Sequence, residues 1–524
     1  MVLNYTQLKD KILGCWNGKN SGGLLGAPYE GKRQFIDVSY YSEESLKNPP
    51  ANDDLDLQLI NLGVAEVYGR KLDAKILGEY WLSHVIPAWV EYGACKSNLR
   101  QGLNPPITGM VDNPFRNSCG AYIRSELWAC LFPGLPAEAV KYAYEDGIVD
   151  HGEEGLYAEI FCTAMQSAAF IVSDVYELIE IALGYIPQDC DTAKAVKRVV
   201  DCYNDGMDYK QLRLLLLNEF PCTFGVQYST YNNIDREYPI GKPGYDAPLH
   251  IGFIVLGLLY GQGDYGKTLC IAVSCGEDTD CTAATLGALL GIMHGNSRLP
   301  KEWIEPLNNK IVIACVDTFD RINLPRTTDE LTDRILKLIP TFIPFENNGT
   351  KYICYETEHG LTLDIDTNRF PLKSIYPNLD GVKGCGNSPC VPMQEYLRFP
   401  YAEKFEFPLY TAFLDYLDGP FIQVGEEKKI KIRLYANDRM TTQLINNVSV
   451  YTQGGLTCLP SNYYALSLQN RVGSHSELTL TFKTEMPISS KLEFIVDISA
   501  QGKNCANLMK GVLLISDGNH QDNE

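Results

Sequence analysis

The stretch Gly276-Glu277-Asp278-Thr279-Asp280-Cys281-Thr282-Ala283-Ala284 runs directly into Thr285-Leu286-Gly287-Ala288-Leu289-Leu290-Gly291. Two carboxylates two residues apart thus stand at the head of a small, apolar run with the composition of a buried helix. Acids at a helix start commonly cap free N–H groups and complement the helix dipole. A second acidic cluster, Asn52-Asp53-Asp54-Leu55-Asp56, opens another helix-like run far upstream. Two oxygen-rich clusters on separate helix starts are what a hard divalent cation needs, and neither could build such a site alone.

Outward from these clusters, residues 1 to about 340 carry helical spacing. Leu8, Ile12, Leu13 and Trp16 form one stripe, and Leu55, Leu59, Leu62 and Val67 form another. Tyr157–Met165 is small and apolar nearly all round, as in a helix inside a bundle. Leu331, Ile335 and Leu338 close this half before Pro340 and Pro344 break the pattern. From Lys351 the period becomes two: Ile430–Leu434, Leu478–Phe482 and Leu492–Val496 alternate between short Gly, Asn, Ser and Pro separators. The fold class expected is therefore multidomain α and β. An all-α bundle spans 1–344 and a β-sandwich-like domain spans 345–524, with the boundary near Pro344–Thr350 and a loop around Asn378–Pro392.

A chain of 524 residues calls for two or three domains, and its 45% apolar content supports an ample core. The net charge of −20 argues against a nucleic-acid backbone as partner. The N-terminal residues lack a signal-peptide layout. No segment offers the roughly 20 apolar residues of a membrane span, and Gly252–Leu259 reads as a buried helix. Seventeen scattered cysteines without a CxxC pair speak against a zinc ribbon and for reduced, buried thiols in a cytoplasmic protein.

Three further segments attract attention. Ser21-Gly22-Gly23-Leu24-Leu25-Gly26-Ala27-Pro28-Tyr29-Glu30 reads as a glycine-rich helix exit ending in a carboxylate. Its glycines would let a backbone approach a ligand, although such exits are more often plain turns. Asn117-Ser118-Cys119-Gly120-Ala121-Tyr122-Ile123-Arg124 runs from a small-residue loop into a helix, so its N–H groups could cradle a phosphate. Tight helix packing explains it equally well. Asp150-His151-Gly152-Glu153-Glu154-Gly155 sets a histidine, a residue type more often structural, in a turn of the kind that lines pockets.

The order of these motifs resembles the ADP-ribosylglycohydrolase family over about the first 300 residues. The Asp278-Thr279-Asp280 segment followed by a Gly-Ala helix is the most specific part. The resemblance implies an all-α orthogonal bundle whose cleft holds one or two Mg²⁺ ions. It further implies hydrolysis of the bond between the anomeric carbon of ADP-ribose and a protein side chain or similar acceptor. Carried over by motif position, Asn52, Asp53, Asp54, Asp278 and Asp280 would hold metal, and Glu30 and Asp54 would be catalytic. Asn117, Ser118, Cys119, Gly120, Arg124 and His151 would contact ADP-ribose. The chemistry suits such groups. Negative charge favours an oxocarbenium-like state, Mg²⁺ takes oxygen ligands and activates water, and Glu30 could act as acid or base.

The chain departs from the family pattern at three places. Asn52 replaces a hydroxyl residue, Cys281 replaces a threonine, and Gly22-Gly23 replaces a Gly-Asp pair. A thiol is a poor Mg²⁺ ligand, so one of two metal positions is in question. Three readings follow: hydrolysis of ADP-ribosylated protein, action of the same scaffold on another small glycoside or nucleoside, or an inactive ADP-ribose-binding module. The β domain reads first as a structural or dimerisation module, which leaves a homo-oligomer open. Tyr463-Tyr464 and Glu395–Tyr401 could contact sugars, but aromatic pairs in sandwiches are usually core.

Overall fold

The computed structural model describes residues 1–222, 244–317, 323–343, 354–368, 372–373, 396–437, 440, 442–471, 474–504 and 506–516. The chain forms two compact units. One comprises Met1–Lys96 with Asp112–Tyr376, and the other Ser97–Val111 with Pro377–Glu524. The expected boundary residues 344–350 and the expected loop 378–392 lie outside the described residues.

The first unit is built on two helices, Tyr5–Gly26 and Thr279–His294. Asn4 starts the first helix with a capping box shared with Gln7, which satisfies two otherwise orphaned N–H groups. The helix then carries Gly14, Gly18, Gly22 and Gly26, one glycine per turn on a single face. These meet the second helix backbone to backbone. A Cβ on Gly18 would lie 2.0 Å from the Gly287 carbonyl oxygen, and one on Gly22 would lie 2.0 Å from that of Ala283. Gly14 faces Gly291, and Gly26 faces Thr279 and Asp280. The two helices therefore run antiparallel, and the contact closes at the Asp280 end. The expected glycine-rich exit is thus helix as far as Gly26; Gly22 and Gly26 serve helix contact, and Gly23 faces the Asn52 side chain. Pro28 follows in a short 3₁₀ turn, Ala27–Tyr29, which delivers Glu30.

The buried helix Ala247–Gly261 and the helix Glu153–Ala169 pack alongside, as their apolar composition predicts. Leu55, Leu59 and Leu62 are buried on the helix Asp53–Tyr68, but Val67 is 68% exposed. It lies five positions beyond Leu62 and so falls off that stripe. The helix Thr328–Phe342 runs through Pro340 rather than ending before it. Only one backbone bond is lost so near a C-terminus, and the Ile343 N–H still reaches the Ile339 carbonyl at 3.0 Å. Gly360–Asp364 pairs on either side with Val2–Leu3 and Cys354–Thr357 in an antiparallel three-stranded sheet, also within this unit.

The second unit has two five-stranded sheets. One orders Tyr463–Leu468, Leu444–Thr452, Lys491–Ala500, Ala506–Ile515 and Phe421–Ile422, and only the last pair is parallel. The other orders Ala402–Glu406, Tyr410–Asp415, Glu427–Ala436, His475–Thr484 and Leu456–Leu459. Their inward residues share one apolar core, in which the rings of Phe482 and Phe494 lie 4.5 Å apart. This matches the expected sandwich. Leu103, Ile107 and Val111 from the early segment complete that core. Of the aromatic pair, Tyr463 is exposed while the Tyr464 hydroxyl donates to the Leu459 carbonyl at 3.0 Å. Among the described residues no helix is long and apolar enough to cross a membrane, and every cysteine is free and buried.

Candidate active site

Glu30 and the aspartates of the Thr279 helix are held together by backbone. Gly276 and Glu277 take positive φ, 76° and 64°, and a Cβ on Gly276 would sit 2.6 Å from the carbonyl oxygens of Lys32 and Gln34. The turn is stitched to the segment after Glu30. The Gly31 N–H donates to the Glu277 carbonyl and the Glu277 N–H to the Lys32 carbonyl, both at 2.8 Å. A buried ion pair, Arg33 Nη1 to Glu277 Oε2 at 2.6 Å, and a bond from Thr279 Oγ1 to the Gly26 carbonyl lock the same junction.

Three groups of donor atoms result, each within 4.8 Å of one another: Glu30, Asp278 and Asp280; Asp54, Asp280 and Cys281; and Cys119, Asp278 and Cys281. Shared members fuse them into one site. The Cys119 thiol donates to Asp278 Oδ2, and the Cys281 thiol to Asp54 Oδ1 at 3.2 Å. Both acidic clusters therefore converge as their sequence suggested, with Asn52 at the N-cap position of the Asp53 helix but making no side-chain cap bond. Asp53 joins none of the three groups among the described residues but lies close enough to Asp280 and Glu30 to act on their charge. Asp56 is drawn elsewhere: its Oδ2 accepts from the N–H groups of Ala314 and Cys315, at 2.6 and 2.7 Å.

The charges in this site are unbalanced. The Asp280 charge, then burial and Asp53, lift the Glu30 carboxyl to about 8, against a hydrogen bond from Tyr245. Glu30 is itself exposed to solvent, so the charge of Asp280 is the firmer of these causes. Burial, reinforced by Asp280, brings Asp53 to about 6. Burial also raises Asp54 and Asp278 well above the usual carboxylate range, and Asp280 above it. Lys19 supplies partial compensation; it is fully buried, with Nζ 3.0 Å from Glu126 Oε2. Burial opposes its charge, but Glu126 and Asp54 outweigh that and raise its pKa. Asp54 Oδ2, Asp280 Oδ1 and both amide atoms of Asn52 have no hydrogen-bond partner. Crowded, desolvated carboxylates with bare oxygens are the donor set of a divalent-cation site. The residues fit such an ion on the Glu30 side, where all donors are oxygen; on the Cys119 side they include sulfur.

The expected substrate loop is set differently. Arg124 is fully buried: its Nε lies 3.1 Å from Asp146 Oδ1, its Nη2 2.8 Å from Asp150 Oδ1, and its Nη1 donates to the Gly120 carbonyl at 2.6 Å. His151, equally buried, lies between Asp150 Oδ1 at 2.9 Å and Ser118 Oγ at 2.8 Å. Burial alone would lift Asp150, but Arg124 and His151 hold it below the usual range. Asn117 Oδ1 accepts from the Glu154 N–H at 3.3 Å, and a Cβ on Gly120 would meet Glu91 Oε1 at 2.1 Å. These side chains hold the loop in shape. Cys119 alone of the six turns into the carboxylate site.

Several neighbours carry no signal in the sequence. Lys19 sits mid-helix between Gly18 and Asn20, where a lysine ordinarily faces solvent. Tyr122 is fully buried with an unpartnered hydroxyl, and burial first, with Asp278 and Asp54 adding to it, pushes that hydroxyl up. Burial keeps His250 neutral, near 4, and its Nε2 accepts the Asp278 N–H at 3.2 Å. The spacing Asp246–His250 hints at a local helix bond and nothing about Asp278.

A sequence model of the family described as ADP-ribosylglycohydrolase matches residues 4–340. A solved structure described as an ADP-ribosylglycohydrolase-related protein complex shares 18% identity and a TM-score of 0.43, over 64% of this chain and 100% of that chain. No curated protein matches the chain. With the family match spanning well over half its length, and the carboxylates of its motifs gathered at one site, this chain belongs to the ADP-ribosylglycohydrolase family.

Proposed function

We propose that the protein is a Mg²⁺-dependent hydrolase that cleaves the glycosidic bond joining ADP-ribose to a protein side chain or similar acceptor. One observation carries this reading: Glu30, Asp278 and Asp280 place their oxygens within 4.8 Å of one another where a helix end meets solvent. Asp278 and Asp280 would hold the cation together with Asp53, Asp54 and Asn52, leaving Glu30 beside it. A divalent cation there supplies Lewis acidity to oxygens of the substrate and helps generate a nucleophile at neutral pH. The remaining work falls to the protein. The carboxylate cluster favours positive charge developing at the anomeric carbon. Glu30 is the most accessible acid of the cluster and the one placed to exchange a proton with substrate or water. Lys19 restrains Asp54, and His250 fixes the backbone of Asp278. Arg124, His151 and Ser118 act by positioning the loop that carries Cys119.

The test is release of free ADP-ribose from Arg- and Ser-linked ADP-ribosylated protein with Mg²⁺. Absence of release on both, from folded protein, overturns the reading. A second reading, the same scaffold acting on another glycoside or nucleoside, is favoured by the commitment of Arg124 to Asp146 and Asp150. That commitment takes from a diphosphate the cation expected to meet it. Cleavage in a glycoside panel with silence on ADP-ribosyl protein would establish it.

A further inference from the structure

Cys119 and Cys281 come from segments far apart in sequence, yet both thiols meet Asp278 within a 4.8 Å group, and Cys281 also meets Asp54 and Asp280. One buried thiol beside a carboxylate would be ordinary packing. Two thiols on one carboxylate, facing a second carboxylate with a bare oxygen, make a mixed sulfur–oxygen donor set. Asp54 is fully buried and Asp280 is 8% exposed, and each retains an oxygen without a partner.

The donor identity decides which ion suits this half of the site. Mg²⁺ demands an octahedron of oxygens and gains little from sulfur. Zn²⁺ and its neighbours bind thiolate and carboxylate together in a tetrahedron. Zinc–sulfur bonds of about 2.3 Å put two sulfur ligands about 3.8 Å apart. Donor atoms already within 4.8 Å need close by only about 1 Å to reach that spacing.

We propose that Cys119, Cys281 and Asp278 form a site for a thiolate-binding divalent ion of the Zn²⁺ class, with Asp54, which meets Cys281 in the adjoining group, as the fourth ligand, distinct in metal preference from the all-oxygen position at Glu30. The proposal rests on the reading of the carboxylate cluster as a cation site but not on its substrate. On binding, each S–H bond breaks, a metal–sulfur bond forms, and the proton leaves to solvent, so two thiols release two protons per ion. Affinity therefore rises with pH and with thiophilicity of the ion. The Thr-to-Cys departure at 281 then changes the metal rather than losing it.

The test uses the full chain, stripped of metal, with Co²⁺ as the probe. Bound through sulfur, Co²⁺ gives a near-ultraviolet charge-transfer band that oxygen ligands do not. We expect the band in the native chain, its fall to about half in Cys119→Ser or Cys281→Ser, and its loss in the double variant. Cys202→Ser, a buried cysteine remote from the cluster, should keep it in full. Zn²⁺ should bleach the band at equal concentration, while Mg²⁺ in about 1000-fold excess should not. Thermal unfolding of each variant confirms that it is folded. Co²⁺ binding without the band, a band unchanged in the double variant, displacement by Mg²⁺ at equal concentration, or no Co²⁺ binding would each overturn the proposal. Hydrolysis of ADP-ribosyl protein is scored separately, so a silent substrate with an intact band refutes only the function, and the converse refutes only the thiol site.

Discussion

Stripping divalent ions should make the stability of this protein fall as pH rises from about 5 to about 8, and restoring an ion should abolish that fall. The reasoning starts from Asp53 and Glu30, whose carboxyls rise from ordinary values of 3.8 and 4.5 to about 6 and about 8. A carboxyl raised on folding holds its proton more tightly in the native state. Its stabilising contribution is complete below the unfolded value near pH 4 and is lost as pH climbs through the folded value. For Asp53 alone the full difference is on the order of 3 kcal/mol, of which roughly half falls between about pH 5 and about pH 8. Glu30 adds to it in the same direction, by an amount that its exposure reduces. In a domain this large a kilocalorie moves the melting temperature by about 2 °C, so a drop of several degrees is expected. A bound cation takes the place of the protons and should stabilise more at about pH 8 than at about pH 5. Differential scanning calorimetry of chelator-treated and ion-loaded protein across that range reads both effects. A flat or rising profile without ion, or equal stabilisation by ion at both ends, would refute the picture of a charge-frustrated cluster.

Other changes have definite expected outcomes. Glu30→Gln should lower turnover about 100-fold or more with little change in substrate affinity, as steady-state kinetics would show; unchanged turnover removes Glu30 from the chemistry. Gly18→Ala places a Cβ 2.0 Å from the Gly287 carbonyl oxygen and should cost about 3 kcal/mol or more in a denaturant titration. Gly252→Ala, whose Cβ would meet nothing nearer than a Leu216 methyl at 3.2 Å, should cost far less. Arg124→Met leaves Asp146 and Asp150 buried without their cation, so a loss of about 3–5 kcal/mol and poor soluble yield are expected.

Which of these features the sequence disclosed follows from how local they are. The acidic clusters at residues 52–56 and 276–280 sit at helix starts because short polar side chains suit those positions, so pattern alone paired them. The alternation in Ile430–Leu434 and Leu478–Phe482 likewise survives in the sheets. Contacts between distant segments left no such mark. Ser97–Val111 looks like any link between helices but lends Leu103, Ile107 and Val111 to the sandwich core. Arg124 and His151 carry the residue types of a binding loop, and only the positions of Asp146 and Asp150 turn them inward. Cys119 reads as a small loop residue until Asp278 is placed beside its sulfur. The glycines at 14, 18, 22 and 26 stand at helical spacing, yet the Gly22-Gly23 pair among them has the composition of a helix exit.

That glycine ladder has a consequence for how the site can change over time. Where side chains separate two helices, each substitution resizes the gap and shifts whatever the helices carry. Here the main chains themselves act as the spacer, so the span between Glu30 and Asp280 is set by peptide geometry, which mutation hardly alters. Residues around that fixed gauge, such as Asn52 and Cys281, can then be exchanged without the two carboxylate arms drifting apart. The ruler stays constant while the chemistry attached to it varies.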